Sequence, residues 1–223
     1  MAEAPTPLPP ACPVCLADSP RHFMRVGASD YGRCDVCEAT FLLPHQLPTA
    51  ERERAEYERH RNEADDAGYL SFLARLSAPL LARLAPACEG LDFGCGPGPV
   101  LARMLRNAGH AVALYDPFFE PDRSVLQRRY DFVTCTEVVE HFHHPAQEFA
   151  RLDALLRPGG WLGIMTCFQT DDARFARWHY RRDPTHVVFY REATFRVIAR
   201  KYGWSCEIPA KDVVLMRKRP PPA

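Results

Sequence analysis

A short glycine-rich loop constrains the fold of this chain more than any other part of its sequence. The segment Leu91-Asp92-Phe93-Gly94-Cys95-Gly96-Pro97-Gly98 places an acidic residue just before Gly-x-Gly-x-Gly. Glycines let the backbone turn sharply and let a ligand approach the main chain closely. The loop therefore predicts a ligand site in an α/β domain, where ligands lie at the carboxyl ends of the strands. A dinucleotide-binding fingerprint is disfavoured, because its third glycine would fall at Pro99.

Strands and helices alternate around this loop, which is typical of a parallel sheet covered by helices on both faces. The loop itself lies between a short buried strand and a helix whose first turn suits Pro99. An apolar stripe at helical spacing predicts a helix upstream, which Pro79 would kink or split. The predicted strands are 90–93, 111–115, 130–135 and 161–166, with a terminal hairpin of 204–208 and 213–217, and the predicted helices are 69–84, 99–108, 145–156 and 191–202.

Two Cys-x-x-Cys pairs near the N-terminus predict a metal site. Cys12 and Cys15 are separated from Cys34 and Cys37 by eighteen residues, the spacing of a four-thiolate zinc ribbon. So short a segment buries little apolar surface, and a metal would supply its folding energy. The alternatives are two unrelated pairs or redox dithiols. Four thiolates leave no open coordination position, so we expect a structural zinc, and we expect the downstream core to fold without the ribbon.

Composition and charge limit the partners and the cellular compartment that the sequence predicts. The formal net charge is zero, so no global attraction to nucleic acid or to an anionic membrane is predicted. The Pro-rich start lacks the apolar core of a signal peptide, no apolar run is long enough to span a bilayer, and the unpaired cysteines are scattered, which together predict a cytoplasmic protein. We expect a disordered tail at 1–10, the zinc ribbon at 11–48, a helical connector and lid at 49–86, and the ligand-binding domain at 87–218.

The glycine loop and the carboxylate after the next strand resemble the class I S-adenosylmethionine-dependent methyltransferases over roughly Tyr69 to Arg217. The resemblance implies a doubly wound, mostly parallel, seven-stranded sheet. It also implies that Asp92 holds the amino group of the cofactor and that Asp116 binds its ribose hydroxyls; the alternative for Asp116 is a turn residue before Pro117. About thirteen residues separate Asp116 from the next strand, so the third-strand region is abbreviated or missing.

By this resemblance the cofactor-binding residues are Asp92, Gly94, Cys95, Gly96, Gly98, Asp116, Pro117, Phe118, Thr136 and Glu137. Phe118 either lies against the adenine or belongs to the core.

The segment Thr136-Glu137-Val138-Val139-Glu140-His141, followed by a Pro-Gly-Gly turn at 158–160, is similar to the quinone O-methyltransferases. It also resembles small-RNA 2′-O-methyltransferases, which bind a divalent metal through such a segment and a later histidine, here His186. The resemblance implies Glu137, Glu140, His141 and His186 as ligands of Mg or Mn, and His141, His186 and Glu140 as catalytic residues. Without a metal, Glu140 and His141 would cap or orient the loop, and His186 would be a general base or a satisfied polar residue.

These resemblances predict methyl transfer from S-adenosylmethionine to the oxygen of a small hydroxylated molecule such as a catechol, quinol or sugar. RNA is the alternative substrate, favoured by the ribbon and the metal-type motif and disfavoured by the neutral charge. A non-catalytic adaptor that keeps only the fold is a third interpretation, which the intact glycine loop disfavours. The remaining histidines of this region, His143, His144 and His179, are predicted to be surface or loop residues.

Overall fold

A computed structural model describes residues 7–18, 20–59 and 66–220. In chain order, the strands and helices are β1 (Arg21–Val26), β2 (Ser29–Arg33), β3 (Thr40–Leu42), α1 (Ala50–Tyr57), α2 (Ala67–Leu81), β4 (Glu89–Phe93), α3 (Val100–Asn107), β5 (Ala111–Tyr115), β6 (Tyr130–Thr136), α4 (Pro145–Leu155), β7 (Leu156–Met165), β8 (Val188–Phe189), α5 (Glu192–Tyr202), β9 (Ser205–Ala210) and β10 (Val213–Arg217). The predicted tail lies mostly outside these residues.

The main sheet has six strands in the order β5-β4-β6-β7-β10-β9. The first four run parallel, and β10 lies antiparallel between β7 and β9, which confirms the predicted terminal hairpin. The predicted number of seven strands is wrong by one. Between β5 and β6 the chain forms only a 3₁₀ turn at Arg123–Gln127, because too few residues remain there for a strand and its crossover helix.

Helices cover both faces of this sheet, as the alternation of side chains along β10 shows. Val214 and Met216 are buried in one apolar cluster with residues of α4 and α5. Val213 and Leu215 are buried in a second cluster with residues of α2 and α3. Successive side chains of a strand point to opposite faces, so the two clusters are the two layers of a doubly wound fold. Helix α2 continues through Pro79 without a break and ends at Leu81.

The ribbon strands form a second sheet, of order β1-β2-β3-β8. Its fourth strand comes from far downstream, because β3 pairs with β8 through Thr40 opposite Phe189 and Phe41 opposite Val188. Cys12 and Cys37 are buried in the same apolar cluster as residues of α4 and α5. The ribbon is therefore continuous with the larger domain, and the predicted boundary at residue 48 does not separate two cores.

None of the helices in the described ranges is both long enough and apolar enough to cross a membrane.

Candidate functional site

A cavity of about 760 Å³ opens at the carboxyl edge of the main sheet, where the segments following β4, β5 and β6 meet. This volume falls within the range of small-molecule sites, about 300–1,000 Å³. Eight of the ten predicted cofactor residues line the cavity: Gly94, Cys95, Gly96, Asp116, Pro117, Phe118, Thr136 and Glu137. The lining also includes the predicted catalytic residues His141 and His186.

The glycine loop needs its glycines for two different reasons. Gly94 has a φ of 79°, and a Cβ there would lie 2.5 Å from the Val138 side chain. Gly96 has a φ of 63°, and no atom lies within 4 Å of the place where its Cβ would stand. The first glycine is thus required by packing, whereas the second leaves the main chain open to the cavity. A ligand can approach the backbone at Gly96.

Asp116 holds the loop from the end of β5. Its Oδ2 accepts a hydrogen bond from Gly96 N at 3.0 Å, and its Oδ1 accepts from Phe118 N at 2.9 Å and Phe119 N at 3.1 Å. Each oxygen of an ionised carboxylate can accept about two hydrogen bonds, so Oδ2 retains acceptor capacity toward the cavity. Asp116 is therefore a turn residue, as one alternative predicted, and it also lines the cavity, as the ligand-binding alternative requires.

Asp92 is not among the residues that line the cavity, and neither is Gly98. The Asp92 side chain is buried, and one of its oxygens accepts a hydrogen bond from Thr134 Oγ1 at 2.7 Å. Burial raises the pKa of Asp92 to about 6, while the hydrogen bonds from Thr134 and from the backbone N–H of Ala102 in α3 oppose that rise. Asp92 therefore joins β4, β6 and α3 beneath the loop.

Three predicted catalytic side chains converge next to the cavity, where His141 and His186 line it and Glu140 is buried beside them. One ligand-capable atom from each of Glu140, His141 and His186 lies within 4.8 Å of the other two. Glu140 and His141 belong to a 3₁₀ turn after β6, and His186 belongs to the segment just before β8. The two imidazole rings meet edge to face, with centroids 4.7 Å apart.

Backbone carbonyls fix the tautomers of both histidines. His141 Nδ1 lies 2.9 Å from the carbonyl oxygen of Thr185, and His186 Nδ1 lies 2.7 Å from that of Tyr180. A carbonyl can only accept, so each Nδ1 carries the proton and each neutral ring has its lone pair on Nε2. Burial lowers the pKa of His186, which favours the neutral ring. Histidines that ligate metals are held in this way.

Tyr180 and Thr166 orient the fully buried carboxylate of Glu140. Tyr180 Oη donates to Glu140 Oε1 at 2.5 Å, and Thr166 Oγ1 donates to Glu140 Oε2 at 3.0 Å. The Tyr180 ring also lies against His186, with centroids 4.1 Å apart. Neither residue is predicted from the sequence. The aromatic run Trp178-His179-Tyr180 in a connecting segment was the available signal, since buried tyrosine hydroxyls usually have a hydrogen-bonding partner.

Glu137, the fourth predicted metal ligand, is not part of this three-residue cluster. Its backbone has a φ of 53°, and the residue lines the cavity. Burial and the nearby charge of Glu140 raise the pKa of Glu137 to about 9. With no ion bound, the carboxyl group is therefore protonated at neutral pH and can donate a hydrogen bond.

Helix α1 covers the cavity. The Tyr57 ring packs edge-on against Phe118, with centroids 5.5 Å apart, and against His141, with centroids 5.2 Å apart. Glu53 Oε1 lies 2.9 Å from His143 Nε2, which joins the helix to the loop after β6. The predicted lid is thus in contact with both sides of the cavity. His143, His144 and His179, predicted to be surface or loop residues, lie in turns and bends and also line the cavity.

The four N-terminal cysteines form a second cluster that could hold a metal ion. The Sγ atoms of Cys12 and Cys37 lie 3.7 Å apart, and those of Cys15 and Cys34 lie 3.5 Å apart. Four thiolates at about 2.3 Å from a tetrahedral zinc would be about 3.8 Å apart, so the thiols are placed for a metal. These separations are far longer than a disulfide bond, which is about 2.05 Å.

The two cysteine pairs also have matching backbones. The residue after each pair, Leu16 or Glu38, has a positive φ of 66° or 61°. Its N–H donates to the carbonyl oxygen of the first cysteine of its pair, at 3.0 Å for Cys12 and 2.9 Å for Cys34. This repetition is typical of two zinc knuckles and is not expected of unrelated cysteine pairs.

Comparison with known proteins agrees with this geometry. A family model described as a methyltransferase domain matches residues 57–207. The ubiquinone biosynthesis O-methyltransferase of Serratia proteamaculans (strain 568) is 34% identical over 89 residues, which are 40% of this chain and 37% of that protein. Its counterpart in Proteus mirabilis (strain HI4320) is 30% identical over 95 residues, 43% of this chain and 39% of that protein. The matches therefore span about two fifths of these relatives.

Solved structures show the same fold at low sequence identity. An O-methyltransferase family protein from Burkholderia thailandensis superposes with a TM-score of 0.53 at 17% identity, over 79% of this chain and 66% of that chain. The 1,6-didemethyltoxoflavin-N1-methyltransferase of the same organism superposes with a TM-score of 0.50 at 17% identity, over 89% of this chain and 99% of that chain. Since the family model matches more than half of the sequence, the chain belongs to the methyltransferase-domain family.

Proposed function

We propose that this protein transfers a methyl group from S-adenosylmethionine to a hydroxyl oxygen of a small molecule. The observation that carries the proposal is the convergence of the His141 and His186 rings, which line the same cavity as the glycine loop, with the buried carboxylate of Glu140. The relatives in Serratia and Proteus, named as O-methyltransferases, support transfer to oxygen.

The cofactor side of the cavity fits S-adenosylmethionine. The space beside Gly96 admits a ligand to the main chain, and Asp116 Oδ2 retains acceptor capacity for a ribose hydroxyl. Thr136 also lines this side of the cavity. Asp92 acts beneath the loop and supports it.

On the acceptor side, the chain has to hold and deprotonate a hydroxyl group. The lone pair on Nε2 of His141 or His186 can accept the hydroxyl proton, and Glu140 can stabilise the imidazolium that results. S-adenosylmethionine supplies a methyl group that is already strongly electrophilic, so the protein contributes alignment and proton removal.

The same three side chains fit a divalent ion. Both histidines have their Nδ1–H bonded to carbonyls, and both oxygens of Glu140 accept hydrogen bonds, so the whole set is held in place by surrounding groups. Mixed imidazole and carboxylate ligands suit Mn, Mg or Zn. A bound ion would lower the pKa of a hydroxyl that coordinates it. We propose Glu140, His141 and His186 as its ligands, and zinc as the ion of the cysteine cluster.

The decisive experiment compares His186→Ala with His179→Ala. Both histidines line the cavity, but only His186 belongs to the cluster. Turnover of a catechol probe should fall by about 10²–10⁴-fold in His186→Ala, the usual contribution of a general acid or base. It should change little in His179→Ala. Calorimetry with S-adenosylhomocysteine should give equal affinities, since neither residue belongs to the cofactor side. Failure of the wild-type protein to bind S-adenosylhomocysteine would refute the cofactor assignment.

Metal dependence and acceptor class are tested with the same assay. Chelator should abolish turnover and Mn or Mg should restore it, while the zinc of the cysteine cluster stays bound. Turnover that survives the chelator but is lost in His141→Ala would instead establish a metal-free histidine base. An RNA oligonucleotide ending in a 2′,3′-diol serves as the competing acceptor, and methylation of RNA in preference to the catechol would overturn the small-molecule assignment.

A further inference from the structure

Val187, the residue next to His186, connects the ribbon to the acceptor side of the cavity. Its N–H donates to the carbonyl oxygen of Glu140 at 2.9 Å. Its own carbonyl oxygen accepts from Leu42 N, at the end of β3, at 2.8 Å. Val187 therefore links two segments: its N–H group bonds to the turn that carries Glu140, and its carbonyl group bonds to the ribbon strand β3.

The contact extends into β8. Phe41 and Val188 face each other in the β3–β8 ladder, and both are almost completely buried, as are Val187 and Phe189. Packed interiors transmit displacement rather than absorb it. A shift of β3 would therefore shift the segment that ends in His186.

The cysteine cluster lies at the start of β3, opposite the end that contacts Val187. Cys34 directly follows β2, and only two residues separate Cys37 from the start of β3. A metal bound by both cysteines would set the angle at which the chain leaves β2 and enters β3. A metal bound at Cys34 and Cys37 would therefore fix the position of β3, the strand that pairs with β8.

A group of polar contacts also joins the ribbon to the segment before α5. The guanidinium of Arg33, at the end of β2, donates to Asp172 Oδ1 at 2.7 Å and, through Nε, to Thr40 Oγ1 at 2.7 Å. Asp172 also accepts from Arg191, just before α5, at 2.5 Å. The Arg33 side chain is 5% exposed, so this ion pair is partly shielded from solvent.

We propose that the ribbon is a positioning element of the acceptor side: its metal-fixed strand β3 holds His186 in register with Glu140. The role of His186 rests on the proposed function, whereas the mechanical coupling does not. Loosening the ribbon should then release the His186 segment and leave the glycine loop in place, because that loop is held from β5 by Asp116. This reverses the expectation that the core is independent of the ribbon.

The test uses Asp172→Asn in the full-length protein, with Asp35→Asn as the matched control. Asp172 joins the ribbon to the core, whereas Asp35 pairs with Arg21 in an exposed ion pair within the ribbon. Hydrogen exchange read by mass spectrometry should become at least about tenfold faster in peptides covering 185–190 of Asp172→Asn, because the charged hydrogen bonds from Arg33 and Arg191 are weakened. Peptides covering 91–98 should not change, and Asp35→Asn should match the wild type in both regions.

A second variant, Cys34→Ser, removes a proposed zinc ligand and should accelerate exchange in 185–190 more strongly. If it unfolds the whole protein, peptides 91–98 also lose protection and Asp172→Asn decides alone. Unchanged exchange at 185–190 in Asp172→Asn would overturn the coupling. Faster exchange there with unchanged catechol turnover would keep the coupling and refute the assigned role of His186, so the two proposals fail separately. Support for both requires turnover to fall while affinity for S-adenosylhomocysteine stays constant.

Discussion

The two sides of the cavity are built differently. The cofactor side consists of the main chain of one continuous loop, held by the carboxylate of Asp116 from the neighbouring strand. The acceptor side consists of side chains from separate segments, and the hydrogen bonds that hold Glu140 come from Thr166 and Tyr180, twenty-six and forty residues away. A backbone site depends on local conformation, whereas a side-chain cluster depends on packing between distant segments. Substitutions should therefore affect the two sides by different mechanisms.

The largest effect is expected from Gly96→Val on the cofactor side. The substitution places a branched side chain in the open space beside a residue with a φ of 63°, so it adds steric blockage to backbone strain. Affinity for S-adenosylhomocysteine should fall by at least about 100-fold, or about 2.7 kcal/mol, in calorimetry.

The control is Gly109→Val, which has a φ of 92°, equally open surroundings and a position away from the cavity. It should lower stability without changing affinity. An equal loss of affinity in both variants would mean that strain alone, and no approach of a ligand to Gly96, explains the result.

A smaller effect is expected from Asp92→Asn, which separates support of the loop from contact with the ligand. The folded carboxyl group has a pKa of about 6 against an ordinary value of 3.8. Its contribution to stability is therefore fully present below about pH 4 and is lost as the pH rises through about 6. Because Asn stays neutral, the free energy of unfolding at pH 8 should increase by up to about 3 kcal/mol.

Denaturant unfolding at about pH 3.5 and at pH 8 checks this sign, with a gain expected only at the higher pH. The control is Asp122→Asn, an exposed carboxyl group whose pKa is lowered by hydrogen bonds from Ser124, and no gain is expected there. A gain of equal size at both pH values would rule out the titration of Asp92 as its cause. A loss of cofactor affinity as large as that of Gly96→Val would instead assign Asp92 to the ligand.

The smallest effect is expected from Tyr180→Phe on the acceptor side. The variant keeps the ring against His186 and removes the hydroxyl that donates to Glu140. Loss of one charged hydrogen bond should lower catechol turnover by about tenfold, with affinity for S-adenosylhomocysteine unchanged. Tyr130→Phe, whose hydroxyl donates to the Val125 carbonyl oxygen outside the cavity, should leave turnover unchanged. Equal turnover in the two variants would refute the proposed role of the Tyr180 hydroxyl in orienting Glu140 for methyl transfer.

The sequence alone was sufficient for the local features. The alternation of strands and helices, the glycine loop, the terminal hairpin and the two cysteine knuckles are each specified by residues that are close in the chain. Periodicity, turn residues and short motifs act over a few residues, and their consequences can be read before the chain is folded. The resemblance to known methyltransferases added Glu140, His141 and His186, which the structure brings together.

Only the tertiary structure decided the rest. It leaves Glu137 out of the three-residue cluster, directs Asp92 toward β6 and α3, and brings Tyr180 and Thr166 onto Glu140. It also makes β8 a strand of the ribbon sheet, although about 150 residues separate it from β3. These outcomes depend on which face of an element becomes buried and on pairing between distant segments, and neighbouring residues in the sequence do not determine either one.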